Sequence, residues 1–184
     1  SFQNLNVEMP TSSTTEPRFQ RKAGSYHHLE IILGKRLNIG LFEGVIWSPS
    51  ENNLGLIKGR DVISFINPTP FIRSLTYGLR GGNNALIGVN LKCNIIDDWV
   101  LYGQLLLDDN ISSKNGFQVG FKAFNLLGLE NLHIQTEINQ VSAYTYAHAD
   151  STRSFTHYNQ AIAHPIGAGF FESVSFLNWQ VQGF

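Results

Sequence analysis

"NLHIQTEINQ" occupies residues 131–140, and the side on which each residue falls decides the fold. Leu132, Ile134, Thr136 and Ile138 point one way; Asn131, His133, Gln135, Glu137 and Asn139 point the other. A strand sends successive side chains to opposite faces, so this stretch makes one oily face and one polar face. A helix would scatter the same apolar groups around its circumference. "IGVNLKCNI" (87–95) repeats the code, with Ile87, Val89, Leu91, Cys93 and Ile95 against Gly88, Asn90, Lys92 and Asn94. "GFQVGFKAF" (116–124) sets Phe117, Val119, Phe121 and Ala123 against Gln118, Gly120 and Lys122.

Outward from these stretches, alternating segments cover residues 25–34, 38–48, 84–95, 98–108, 116–125, 130–140 and 169–181, about seven strands. Connections near Lys35–Leu37, Asp97 and Leu126–Leu129 are short. Those over 49–83, 109–115 and 141–168 are longer. That alternation fits an outer-membrane barrel, with tight periplasmic turns at one rim and extended extracellular loops at the other. Trp47 falls near the long-loop rim, and Trp99 and Trp179 near the short-turn rim, as aromatic girdles require. A soluble β-sandwich also alternates, but has no reason to gather its long loops at one end. The expectation is therefore an all-β fold, an antiparallel transmembrane β-barrel. Bacterial single-chain barrels use an even number of strands, eight or more. Seven cannot close, so either strands are hidden, for instance in "DVISFINP" (61–68), or the chain is part of a larger barrel. Residues 1–24, polar and rich in Ser, Thr and Pro, read as a loop or arm before a barrel segment over 25–184.

Composition agrees. Among 184 residues only 15% are charged, while 12% are aromatic and 17 are glycine; roughly 25% charged is usual for soluble domains. A net charge of −1 gives no field to recruit nucleic acid. The single cysteine, Cys93, excludes an internal disulfide and a cysteine-rich metal site. No apolar run approaches the roughly 18–20 residues of a spanning helix. The chain starts at Ser1 without a visible signal peptide, which reads as a mature chain or a fragment.

"SYHHLEIILGKRLNIGLFEGVIW" (25–47), "FINPTPF" (65–71), "NNALIGVNLKCNI" (83–95), "LYGQLLLDD" (101–109) and "THYNQAIAHPIGAGFFE" (156–172) resemble the C-terminal half of the Wzi-like capsule-assembly outer-membrane barrels. The likeness is greatest to the Bacteroidetes branch that includes gliding-motility-associated members. It covers most of residues 20–180, and its most specific pieces are "YGQ…DD" and "HYNQ…AHP". The resemblance implies a large barrel in the bacterial outer membrane that binds surface polysaccharide and works without enzymatic activity. It implies partners in the lipid bilayer, in polysaccharide, and in other outer-membrane proteins or the remaining half of the barrel. The family members are longer than this chain, which favours a fragment.

The stretch richest in functional groups is the long connection ending in "THYNQAIAHPIGAGF" (156–170). His148, His157 and His164 lack the spacing of a zinc site, and Asp150 is the one nearby carboxylate before Glu172. Ser151 and Ser154 lack a nucleophile context, and Cys93 lies mid-strand. No cofactor, metal or catalytic residue is expected. Two compatible readings remain. In one, the segment folds inward over the barrel mouth and its polar groups bond to the wall, with Pro165, Gly167 and Gly169 shaping its descent. In the other, Tyr144, Tyr146, His157, Tyr158, Asn159, Gln160 and His164 form an uncharged platform for sugar, using amides that match hydroxyls and rings that stack on sugar faces.

Other polar groups carry narrower expectations. Asp108 and Asp109 are adjacent in a strand and face opposite ways, so they cannot flank one glycosidic bond; a loop anchor or a calcium ligand fits better. Asp97 and Asp98 suit a tight turn. His27 and His28 likewise face opposite ways and share no metal. Glu43 breaks the apolar face of its strand, so either a bulge shifts the register or that face meets protein rather than lipid. Arg73 and Arg80 read as solvated loop charges. If the barrel holds, Val89, Leu91, Cys93, Val119, Phe121, Ile134 and Ile138 face lipid, and Lys92, Lys122, His133, Gln135 and Glu137 face the lumen.

Overall fold

The computed structural model describes residues 22–47, 71, 84–108, 113–149, 151–157 and 160–181. The strands are β1 (Ala23–Leu33), β2 (Leu37–Trp47), β3 (Asn84–Ile96), β4 (Trp99–Leu107), β5 (Asn115–Ala123), β6 (Leu132–Val141), β7 (Thr156–His157), β8 (Gln160–Ala161) and β9 (Phe170–Trp179). Seven of them form one antiparallel sheet in the order β1-β2-β3-β4-β5-β6-β9, and β7 pairs with β8 in a separate ribbon. The fold is thus all-β. Each of the seven expected segments lies within two residues of its strand at both ends. The expected arm over 1–24 is shortened, because Ala23 and Gly24 already pair with Trp47 and Ile46. Residues 1–21 and 61–68 lie outside the described residues, as do Arg73 and Arg80.

One end of the sheet carries the connections 48–83, 108–114 and 142–169; the other carries 34–36, 97–98 and 124–131. They are called here the loop end and the turn end. Length alone does not separate the two, because 124–131 (eight residues) exceeds 108–114 (seven). The β5–β6 connection is compact because it is wound. Asn125, Leu127, Gly128 and Asn131 have positive φ around the 3₁₀ turn Leu126–Gly128. Asn125 Oδ1 accepts the Asn131 N–H at 3.1 Å, and the Phe124 N–H reaches the Asp98 carbonyl at 2.8 Å, which ties two turns together.

Register sets the faces. Leu29, Leu41, Val89, Leu105 and Phe117 are successive Cα partners, and so are Ile31, Ile39, Leu91, Gly103, Val119 and Ile138. This is the apolar face, and all seven residues expected on the lipid side share it. Lys92, Lys122, His133, Gln135 and Glu137 fall on the opposite, polar face. Over most of its area the apolar face is bare. Val119 is 50% exposed and Leu177 69%.

Seven glycines lie within the strands. Gly24, Gly40, Gly44, Gly88, Gly116 and Gly120 fall on the polar face, and Gly103 on the apolar one. The polar face spends them on close packing. Tyr26, Phe42 and Tyr102 are the direct cross-strand partners of Gly44, Gly88 and Gly120. A Cβ on Gly88 would strike the Phe42 ring and the Leu105 carbonyl, and one on Gly120 would strike the Tyr102 ring. Each ring therefore covers backbone that a larger residue would screen.

Glu43 settles its own ambiguity. Pairing runs unbroken through it on both sides, His27↔Glu43 and Glu43↔Ile87, so no bulge turns it inward. It stays on the apolar face and is 1% exposed. Its carboxylate accepts the Phe71 N–H at 2.9 Å and lies 3.4 Å from His27 Nδ1. Here the apolar face meets protein. Val45, Trp47 and Ala85 beside it are buried too. Trp47 thus sits at the loop end as expected but inside protein, whereas Trp99 and Trp179 at the turn end are exposed.

Candidate functional site

The long β6–β9 connection folds back onto the polar face at the loop end. Ile46, Leu86, Leu106 and Val141, from four strands of that face, form one buried cluster with Tyr146 and Phe155 of the connection. Tyr26, Phe42, Ile162 and Phe170 pack against it. Phe155 is 1% exposed, and its ring meets Tyr26 and Tyr146 edge-on with centroids 6.5 Å away in each case. Two buried aromatics driven into the sheet make this segment a plug.

Side chains at strand ends pin the plug's backbone. The Tyr146 N–H donates to Asp108 Oδ2 at 2.8 Å, and the Tyr146 carbonyl accepts from Asn84 Nδ2 at 3.3 Å. Lys114 Nζ reaches the Ala147 carbonyl at 2.7 Å. Lys22 Nζ bonds the carbonyls of Ser154 at 3.0 Å and Thr156 at 2.5 Å. Within the plug, the His148 N–H donates to Ser154 Oγ, and the N–H of Phe155 to the Tyr146 carbonyl. A carbonyl or N–H left bare in such a place costs about 1–3 kcal/mol, so each anchor matters more than its own bond. Asp108 is thus the loop anchor that the sequence suggests; Asp109 lies outside the described residues. Tyr144 and Tyr146 hold φ of 64° and 75°, a region tyrosine seldom visits. The three bonds on the Tyr146 backbone and its buried ring hold it there.

The expected platform residues are not all brought together. Tyr146 and His164 line a common recess. Tyr144 is 78% exposed on the turn before them. His157 and Gln160 are cross-strand partners in the β7–β8 ribbon. Tyr158 and Asn159 lie outside the described residues. His164 Nε2 is 3.8 Å from Glu172 Oε1, its Nδ1 accepts the Ile166 N–H at 3.3 Å, and its ring tilts over Phe170 at 4.5 Å. Burial, and secondly the Asp108 carboxylate, push the Tyr146 phenol above its ordinary range. Among the described residues no three His, Cys, Asp or Glu side chains converge on a point.

The recess between plug and sheet measures about 50 Å³ and is lined by Gln104, Leu106, Gln118, Asn139, Tyr146 and His164, among others. Ligand pockets run to roughly 300–1,000 Å³, so a sugar ring does not fit there; a water molecule does. Below the recess a polar row crosses the whole sheet: Glu30, Gly40, Asn90, Gln104, Gln118, Asn139 and Glu172 are successive Cα partners. Its members bond to one another and to the next row. Gln104 Nε2 donates to Asn90 Oδ1 at 2.8 Å, and Asn139 Nδ2 to Glu172 Oε1 at 2.9 Å and Glu137 Oε1 at 2.8 Å. The Tyr102 hydroxyl donates to Glu137 Oε2 at 2.7 Å and accepts from Gln135 Nε2 at 3.0 Å. Lys122 Nζ stands 5.3 Å from the Tyr102 ring centre. Sequence reading missed these partners because all of these pairs but Asn139–Glu137 join different strands, 14 to 35 residues apart, and are set by register. One cue was present: Tyr102 is the one aromatic on the polar face of β4, and Glu137 the one carboxylate of β6. No family model, curated protein or solved structure matches the chain.

Proposed function

We propose that this chain forms part of a transmembrane β-barrel of the bacterial outer membrane, with its plugged loop end outward. One observation carries the proposal: a seven-stranded sheet bares an apolar face of Leu, Ile, Val and Phe while its other face is polar and packed with its own connection. Bare apolar surface on this scale needs a cover, and strands of 9–13 residues have the length that a bilayer asks of a tilted strand, about 9–11. Trp99 and Trp179 at the turn end are placed for an interfacial girdle. Detergent dependence tests this. The folded chain is expected to be monodisperse in detergent and to aggregate without it; a monodisperse detergent-free chain refutes the membrane reading.

Within that barrel the role we propose is non-enzymatic: attachment of surface polysaccharide, or gliding-related surface assembly, through the outer surface of the plug. The support is the resemblance to Wzi-like capsule-assembly barrels, together with Tyr144, exposed on a connection that carries few charges. Binding there would rest on stacking and uncharged hydrogen bonds and vary little with salt. A glycan array read with the Tyr158→Ala/Asn159→Ala double variant tests it. Lost binding with a protease-resistant plug supports a binding site; unchanged binding by variant and parent leaves the segment structural. The recess, too small for sugar, favours a second reading, a structural barrel subunit with no ligand of its own, which an empty array would select.

A further inference from the structure

The seven-stranded sheet ends at β1 and β9, and among the described residues neither has a second strand beside it. Edge strands that end a sheet in water are normally short, bulged, or armed with lysine or proline. These two are 11 and 10 residues long, contain no Lys, Arg or Pro, and pair in unbroken register with β2 and β6. They are built for a further strand. Direction decides what can dock. Seven antiparallel strands make β1 and β9 run the same way, from loop end to turn end. Joined to each other, they would form a parallel seam. Two copies standing side by side around a common axis would form two parallel seams.

We infer that β1 and β9 are the docking edges for a partner made of an odd number of amphipathic antiparallel strands, at least three. This rests on the membrane reading above, since only lipid forbids leaving an edge unpaired. An odd number is required because the partner's first and last strands must both run from turn end to loop end, opposite to β9 and β1. The total then becomes even, as closed bacterial barrels have it. One strand is too few. An eight-stranded barrel has an interior just wide enough for side chains, and here the plug, with Tyr146 and Phe155, already stands on the inner face. The partner's strands alternate as this chain's do, with apolar groups continuing the rows of Leu29 and Ile31, and polar groups continuing the row from Glu30 to Glu172.

Two peptides of this chain are suitable probes. Residues 99–141 hold β4, β5 and β6, whose outer members run opposite to β1 and β9. Residues 99–123 hold only β4 and β5, so one outer member is always parallel to an edge. The full chain in detergent micelles is mixed with each peptide at equal concentration and amide hydrogen exchange is followed in β1 and β9. The three-strand peptide is expected to slow exchange in both edges by about tenfold or more; the two-strand peptide holds one edge of any one chain through β4, and slows either edge by about twofold at most. A two-strand peptide that slows both edges as much as the three-strand peptide does overturns the odd count. Protection of neither edge by either peptide overturns the docking role. A third arm carries Ile31→Cys and Ser175→Cys in a Cys93→Ser background: a disulfide between β1 and β9, within one chain or between copies, overturns the exclusion of self-closure. A chain that needs no detergent sinks the membrane reading, and the exchange result then still scores the edges by itself.

Discussion

At the loop end of the sheet both faces are covered by protein, and each carries residues its turn end does not. There the polar face carries Ile46, Leu86, Leu106 and Val141, buried beneath Tyr146 and Phe155. The apolar face carries Glu43, buried beside Phe71. At the turn end the assignment is the ordinary one, with Lys92, Lys122 and Glu137 on one side and bare Leu33, Leu91 and Leu101 on the other. The difference teaches that residue type follows what covers each position, not the face as such. Where the chain covers itself, apolar groups serve under the plug, and a carboxylate is tolerated because it finds an N–H. Where the chain leaves itself bare, the contrast between faces reports two different surroundings.

The largest expected effect breaks the loop end alone. Phe155→Ala removes the biggest fully buried side chain among the described residues, and such truncations cost about 3–5 kcal/mol. Protease should then cut within 142–169, and exchange should quicken there, while β3–β5 near the turn end keep their protection. Equal loosening of both ends would mean that they form one cooperative unit and that the contrast between them is superficial.

Val119→Arg addresses the bare face. Val119 pairs with Gly103 and Ile138 at mid-strand. If lipid covers it, the substitution costs roughly 2–4 kcal/mol, read as a lowered denaturant midpoint in bilayers. An exposed position facing water would show almost no change, so a neutral result counts against lipid. The same change at Gln118, one residue away on the polar face, should be far milder.

Asp108→Ala comes next. Asp108 is fully buried, and its carboxylate takes the Tyr146 N–H. Losing it strands that N–H in a dry place, which costs about 1–3 kcal/mol. The expected signature is faster exchange of the Tyr146 amide with the sheet intact. Asp108→Asn, which keeps an accepting oxygen, should recover most of the loss.

The strands were legible because period 2 is written locally. Any eight or nine residues of β3, β5 or β6 disclose their faces, and the connections follow by subtraction. The plug's inward fold was legible only as composition, several rings with few charges. Of its anchors only Asp108 was legible, as one of two carboxylates at a strand end; Lys22, Asn84 and Lys114 are single residues at strand ends, each ordinary in its own surroundings. They meet Tyr146, Ala147, Ser154 and Thr156 only when register brings far-apart segments together. Glu43 stood out as an anomaly in the pattern, but its partner, the backbone of Phe71, carries no side-chain signal. The eight-residue connection over 124–131 shows the limit of counting, because winding hides its length.

The smallest effect is a dependence on alkaline pH confined to the plug. The Tyr146 phenol is held above its ordinary value, first by burial and second by the Asp108 charge. Both act against the phenolate, so the folded plug favours the neutral phenol. The unfolded segment titrates near 10. Below that value both states are protonated, and the plug keeps the full benefit of the buried ring. As pH rises past 10 the unfolded form loses its proton first, and stability falls until the folded phenol ionises too. Protease sensitivity of residues 142–169 should therefore be flat from pH 7 to about 9 and climb above about 10. Tyr146→Phe keeps the ring and deletes the titrating group, so the difference between variant and parent should vanish at neutral pH and widen in alkali. Strands near the turn end should not follow this curve. If Tyr146→Phe leaves the alkaline rise unchanged, another group opens the plug, and Tyr146 is held by its ring and the three bonds on its backbone without help from the phenol.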